Sequence, residues 1–427
     1  METTKTIIRS PLTGDSYTQI RHKSGLNILV CEMDGFQTTQ ALFCTNYGSI
    51  HTRFKTADDA DFCTVPEGIA HFLEHKLFEN EDCDVFELYA KTGANGNAFT
   101  SFDKTCYLFN CSQNYQDSLR ILLDFVQKPY FTKETVEKEQ GIIAQEIKMT
   151  NDNPEWRVFF NMLRAMYHEH PVKIDIAGTV ESIAQINAEL LYKCYYTFYN
   201  LNNMVLSIAG NIKAEEVLAI CDECLKPCED KGLETVFPEE PDTIVQPEIR
   251  ETQLVGASIF HIGYKCRDCR GMERLNKSIA GSIASSLITD ASSAMYQKLL
   301  KDGVINSSFG AETFCGDGYF TVIFSGESEK PEVIRDSILA EVERMINGGI
   351  NESDFQRIKK STYGMLIREL NNVEAVANNM ISAHMDGVLP FDALDTLSEV
   401  TSEDVVEFMK NEFRSDRLVM SVVEKEV

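Results

Sequence analysis

Apolar positions recur along the chain at two periods. Short runs such as 25–33 (GLNILVCEM), 40–47 (QALFCTNY) and 105–111 (TCYLFNC) have strand length and strand patterning, whereas the longer stretches between them repeat as helices do. The mixture predicts an α+β fold. Within residues 66–78 (PEGIAHFLEHKLF), Ile69, Phe72, Leu73 and Leu77 form one helical stripe, with Pro66 placed in the first turn. A second helix is predicted to start at Thr132, a suitable N-cap, with Val136, Ile143 and Ile147 on a common side.

The pattern also repeats. Leu190–Ser207 (LLYKCYYTFYNLNNMVLS) returns as Asp404–Ser421 (DVVEFMKNEFRSDRLVMS) at an offset of 421 − 207 = 214. Phe131–Glu146 returns as Ile350–Met365 at an offset of 365 − 146 = 219. Two echoes at nearly one offset predict duplicated halves rather than a solenoid, whose period is much shorter. Pro227, Pro238, Pro241 and Pro247 gather in one acidic stretch. The expected division is therefore a first domain at 1–226, a linker at 227–249 and a second domain at 250–427.

Composition narrows the function. A chain of 427 residues that is 43% hydrophobic can build two cores without staples. Its 40 basic and 66 acidic side chains leave a formal charge of −26, which repels phosphate backbones and anionic lipid surfaces and argues against a nucleic-acid or membrane partner. The opening METTKTIIRSPLTGDS lacks the apolar core of an export signal, and no stretch approaches the roughly twenty apolar residues of a membrane span. A cytoplasmic location is expected. Thirteen cysteines are then expected as reduced thiols. Cys221, Cys224 and Cys228 with Cys266 and Cys269 could supply a thiolate metal site, but the long gap between the pairs and the lack of turn glycines favour ordinary cysteines.

The chemistry concentrates in the first helix. His71 and His75 lie one turn apart, so both imidazoles can grip one metal, while Glu74 beside them can deprotonate a water there. This is the H-x-x-E-H order of inverted zinc peptidases. A catalytic zinc needs a third protein ligand, and Glu139 and Glu146, seven residues apart, share a face of the second helix. Glu146 is assigned as the ligand and Glu139 as the carboxylate that orients it or the water. The rival reading of a bare H-x-x-E-H as a solvated helix face weakens once these glutamates are joined to it. His168-Glu-His170-Pro reads as surface polar groups, and His22, His51, His261 and His384 stand isolated.

His71-Phe-Leu-Glu74-His75, the pair Glu139 and Glu146, Gly93-Ala-Asn-Gly-Asn97-Ala98-Phe-Thr100 with Thr105 and Tyr107, and Tyr199-Asn-Leu-Asn-Asn203-Met204 together resemble the pitrilysin/insulinase family of zinc peptidases, in its short bacterial branch similar to mitochondrial processing peptidase. The wording most resembles a subgroup associated with elongation factor P modification. The resemblance implies two homologous domains, each a mostly antiparallel sheet packed with helices. It also implies one Zn2+ per chain on His71, His75 and Glu146, Glu74 and Glu139 as catalytic groups, and Asn97, Ala98 and Thr100 along a strand that binds peptide substrate. The second half is expected to be metal-free, because at the repeat offset Glu139 meets Ile358 and Glu146 meets Met365. Family members usually carry an arginine, and a tyrosine seven residues later, in that half. Here Leu300 and Asn306 stand in those places, with Tyr296 or Arg368 as local substitutes. That loss implies a dimer, in particular a heterodimer with a related chain supplying the pair. The alternative implied by the same fold is a non-catalytic assembly subunit, similar to core subunits of a respiratory complex.

Overall fold

The structure, a computed structural model, describes residues 2–81 and 84–426. The chain contains β1 (Thr4–Arg9), β2 (Ser16–Arg21), β3 (Asn27–Glu32), β4 (Thr39–Thr45), β5 (Arg53–Lys55), β6 (Cys63–Thr64), β7 (Asn95–Thr100), β8 (Thr105–Cys111), β9 (Met204–Gly210) and β10 (Glu234–Thr235). There follow β11 (Glu248–Gln253), β12 (Ile259–Cys266), β13 (Gly310–Gly316), β14 (Tyr319–Glu327) and β15 (Leu418–Lys425). The first unit holds a seven-stranded sheet in the order β1-β2-β3-β9-β4-β8-β7 and a small sheet β10-β5-β6. The second unit holds a five-stranded sheet in the order β11-β15-β12-β14-β13. In each, one pair is parallel, β3 with β9 and β11 with β15, and the remaining ladders of the large sheet are antiparallel.

The two sheets are copies. The run β3-β9-β4-β8-β7 has the order and strand senses of β11-β15-β12-β14-β13, so the fold is α+β with two homologous halves. Matching helices keep the offsets seen in sequence: Ala188–Phe198 with Ser402–Glu412, and Lys133–Asn151 with Glu352–Glu369. Helices Pro154–Met166 and Val373–Asp386 correspond as well, each opened by an asparagine cap, Asn153 and Asn372, whose side chain accepts backbone N–H groups of the first turn.

Those last two helices change places. By compactness the first unit comprises 1–147, 175–237 and 367–391, and the second 148–174, 238–366 and 392–427. The first sheet is buried on both faces: Ala41 and Phe43 of β4 join the core that includes Phe72 and Ile143, while Leu42 and Cys44 face Val376, Ala377 and Met380 of the late helix. Ser207 Oγ of β9 donates to Ala377 O at 2.9 Å, which ties that helix to the sheet. In the second unit the early helix lies on β11, β12 and β15. Gly263 of β12 lets it approach, since a Cβ there would stand 2.7 Å from Met162 Sδ. Arg157 and Asn161 anchor the same helix to Glu251 of β11 at 2.8 and 2.7 Å.

Three local expectations are corrected. Pro66 precedes the motif helix, which runs Ile69–Leu77 behind Gly68, because the left-handed conformation of Gly68 (φ 85°) breaks the helix there. Cys44 and Cys106 are not reduced thiols but a disulfide, since the register of β4 and β8 sets them directly opposite each other although 62 residues separate them in sequence. His170 is no surface group: it is buried, and its Nδ1 accepts from Val172 N at 3.2 Å to cap a short turn. Among the described residues no helix is long and apolar enough to cross a membrane.

Candidate active site

The motif helix is held at its start by a close crossing of two glycines. A Cβ on Gly68 would stand 2.3 Å from Ala177 O, and one on Gly178 would stand 2.6 Å from Glu67 O. Ser182 Oγ donates to Glu67 O at 2.9 Å and completes the clamp. Ile69, Phe72, Leu73 and Leu77 are buried, which turns His71, Glu74 and His75 to a common side. The second helix starts as expected, with Thr132 Oγ1 accepting from Thr135 N at 3.2 Å. Val136, Ile143 and Ile147 seat it in the core and carry Glu139 and Glu146 to the two histidines.

His71 Nε2 lies 3.6 Å from Glu146 Oε1, and His75 Nε2 lies 3.5 Å from Glu146 Oε2. Both separations are too long for hydrogen bonds. They fit zinc: bonds of about 2.0–2.1 Å in a tetrahedron place neighbouring donors roughly 3.4 Å apart. Among the described residues, His71, His75 and Glu146 are the one group of three whose donor atoms converge this way, all within 4.8 Å of one another. The cysteines at 221, 224, 228, 266 and 269 form no such group, and Cys221 and Cys266 are buried thiols.

The surroundings prepare each donor. His75 Nδ1 meets Glu139 Oε1 at 3.0 Å, which fixes the ring and leaves Nε2 toward Glu146. Burial acts to lower the His75 imidazole, but the Glu139 bond and the charges of Glu74 and Glu146 raise it above its ordinary range. Burial acts to raise Glu139, yet the His75 bond and the nearby Lys76 hold it below the usual carboxylate range. Glu146 is also held low, chiefly by His71. His71 has no comparable support at its other nitrogen: its Nδ1 is buried without a hydrogen bond, so packing holds that edge of the ring while Nε2 faces Glu146.

Glu74 is half-buried, and its Oε2 accepts the Thr100 hydroxyl at 2.7 Å. Thr100 ends β7, the edge strand of the large sheet. Asn97 is exposed on the same strand, its side chain turned back to Ala98 N at 2.9 Å, and Ala98 packs against the core. Tyr107 and Tyr199 join through their hydroxyls at 2.9 Å. In the second unit, Leu300 is exposed on helix Ala294–Lys301, and Asn306 donates to Glu327 at 2.8 Å. Tyr296 is buried near Phe309.

Sequence reasoning missed Lys76. It is fully buried and pairs with Glu79. The only available signal was the i, i+3 spacing of lysine and glutamate, which ordinarily marks an exposed face.

Comparison with known proteins supplies a family. A model described as insulinase, peptidase family M16, matches residues 65–180, and one described as the M16 inactive domain matches 185–362. The uncharacterized zinc protease YmfH of Bacillus subtilis is 38% identical over 407 residues, 94% of each chain. Among solved structures, an M16-like peptidase from Alicyclobacillus acidocaldarius is 33% identical with a TM-score of 0.92, covering 100% of this chain and 99% of that one. A chain of complex III2 from Candida albicans shares the fold at 15% identity, with a TM-score of 0.73 and coverage of 93% and 94%.

Proposed function

Because the chain belongs to the insulinase family, peptidase family M16, we propose that it is a zinc-dependent peptidase acting on short or unfolded peptides. The observation that carries this reading is the convergence of His71, His75 and Glu146 at zinc spacing with Glu74 on the same helix turn. Zinc held by those three residues would supply Lewis acidity toward the scissile carbonyl and favour water as a nucleophile near neutral pH. Glu74 takes the proton from the attacking water and passes it to the leaving amine. Glu139 keeps His75 in the tautomer whose Nε2 is free to bind metal. Asn97 and Ala98 offer main-chain groups of an open sheet edge to an extended peptide. The second unit is read as a metal-free copy of the fold; its match to a model described as an inactive domain supports this reading.

We place the protein in the cytoplasm as part of a dimer, in particular with a related chain that supplies the arginine and tyrosine absent at Leu300 and Asn306. The rival reading, a non-catalytic assembly subunit, shares the fold of the complex III2 chain. Retention of all three donors and the base favours the enzyme.

The test combines elemental analysis of the chain with mass spectrometry of a peptide library that the wild-type chain cleaves, alone or mixed with the related chain. His71→Ala and Glu146→Gln are expected to lose most of one zinc per chain, whereas Glu74→Gln keeps the metal and loses the cleavage products. Equal zinc in all variants, or equal products from Glu74→Gln, overturns the assignment.

A further inference from the structure

We propose that Thr100 is the positioning residue of the general base, holding one carboxylate oxygen of Glu74 so that the other is left for the attacking water; this rests on the peptidase reading above. Two independently fixed elements make the bond. Glu74 stands on a helix whose start is locked by the Gly68–Gly178 crossing and whose stripe is buried. Thr100 ends β7 opposite Thr105, the first residue of β8, across a turn closed by Ser101 N donating to Lys104 O at 2.8 Å. Thr105 is fully buried, and its hydroxyl donates to Tyr47 O at 2.8 Å, which pins the hairpin from below.

Thr100 Oγ1 then has two neighbours, Glu74 Oε2 at 2.7 Å and Thr105 Oγ1 at 3.4 Å. A hydroxyl carries one proton, and the carboxylate oxygen is much the nearer acceptor, so the proton points to Glu74. A glutamate on a helix otherwise turns about three side-chain torsions. Fixing one oxygen removes most of that freedom before substrate arrives, which is how a supporting residue raises turnover without touching substrate.

Thr100→Val removes the donor and keeps the branched shape, while Thr100→Ser keeps the donor. Zinc content is expected to stay at the wild-type level in both. Loss of a hydrogen bond to a charged group is expected to lower kcat roughly 10-fold to 100-fold in the valine variant with KM unchanged, and the serine variant is expected to restore it. Wild-type kcat in Thr100→Val overturns the proposal, as does a raised KM with kcat retained, which makes Thr100 a substrate contact instead. A readout independent of turnover is the double-mutant cycle of Thr100→Val with Glu74→Ala in urea unfolding: the midpoint shifts are expected to be non-additive, and additive shifts overturn the contact. If the wild-type chain cleaves no peptide either alone or mixed with a related chain that bears the arginine and tyrosine, the peptidase reading fails while the cycle still decides whether Thr100 holds Glu74.

Discussion

At the scale of single residues, the groups around the metal donors differ in how far sequence discloses them. Glu139 was visible as a carboxylate on an apolar side, and such a group needs a partner; the partner is His75 Nδ1. Glu139→Gln is expected to weaken zinc binding by about 10-fold to 100-fold while leaving the fold intact, read by competition with a chelating dye. Lys76 gave no comparable signal, because a helical wheel cannot tell that the turn beneath it is covered. His261 was invisible for a similar reason. It lies on β12 with its ring 6.0 Å from that of Phe159, its Nδ1 is buried without a hydrogen bond, and burial lowers its pKa from 6.5 to about 4. The folded state therefore binds the proton more weakly than the unfolded chain does. Its contribution to stability is complete above about pH 6.5, is lost as the pH falls toward 4, and amounts to at most about 3 kcal/mol. His261→Phe is expected to flatten the fall of the unfolding midpoint between pH 6.5 and 4.5; an unchanged slope would assign that fall to other groups.

At the scale of elements, the motif helix and the glutamate helix were legible because each carries a full apolar stripe, and the strands at 27–32, 39–45 and 105–111 because their runs are short and apolar. The start of the motif helix was not. Proline in a first turn is a sound expectation, but the helix opens on Gly68 because the backbone at Ala177 leaves no room for a side chain. Gly68→Ala adds a methyl group against a carbonyl oxygen and forces a left-handed residue. It is expected to cost at least about 1–2 kcal/mol and to lower zinc affinity with it, since the crossing sets the direction of the helix that bears both histidines. Thermal unfolding with and without added zinc measures both. The disulfide between Cys44 and Cys106 belongs to this scale too: which strands become neighbours follows from the sheet order β9-β4-β8, which periodicity does not encode.

For the whole molecule, the duplication was readable from two echoes, and the shared strand order of the two sheets bears it out. On the proposed reading, function at this scale turns on the arginine and tyrosine in whose places Leu300 and Asn306 stand. If the active peptidase is a pair of related chains, the purified chain alone is expected to show little turnover, and a partner bearing the arginine and tyrosine restores it on mixing; full turnover by the chain alone rules out an obligate partner. Sequence could not disclose the reciprocal placement of helices 154–166 and 373–386, because an apolar stripe states that a helix will be covered and not by which sheet. That exchange bears on how such a chain arises and how it is made. Two identical single-repeat chains that each lend one helix to the other form a swapped pair, and fusing their genes end to end yields the connectivity seen here. Until residues 373–386 have been made, the face of the first sheet that Val376, Ala377 and Met380 cover has no partner from its own unit, and an apolar face left bare during synthesis is prone to aggregate.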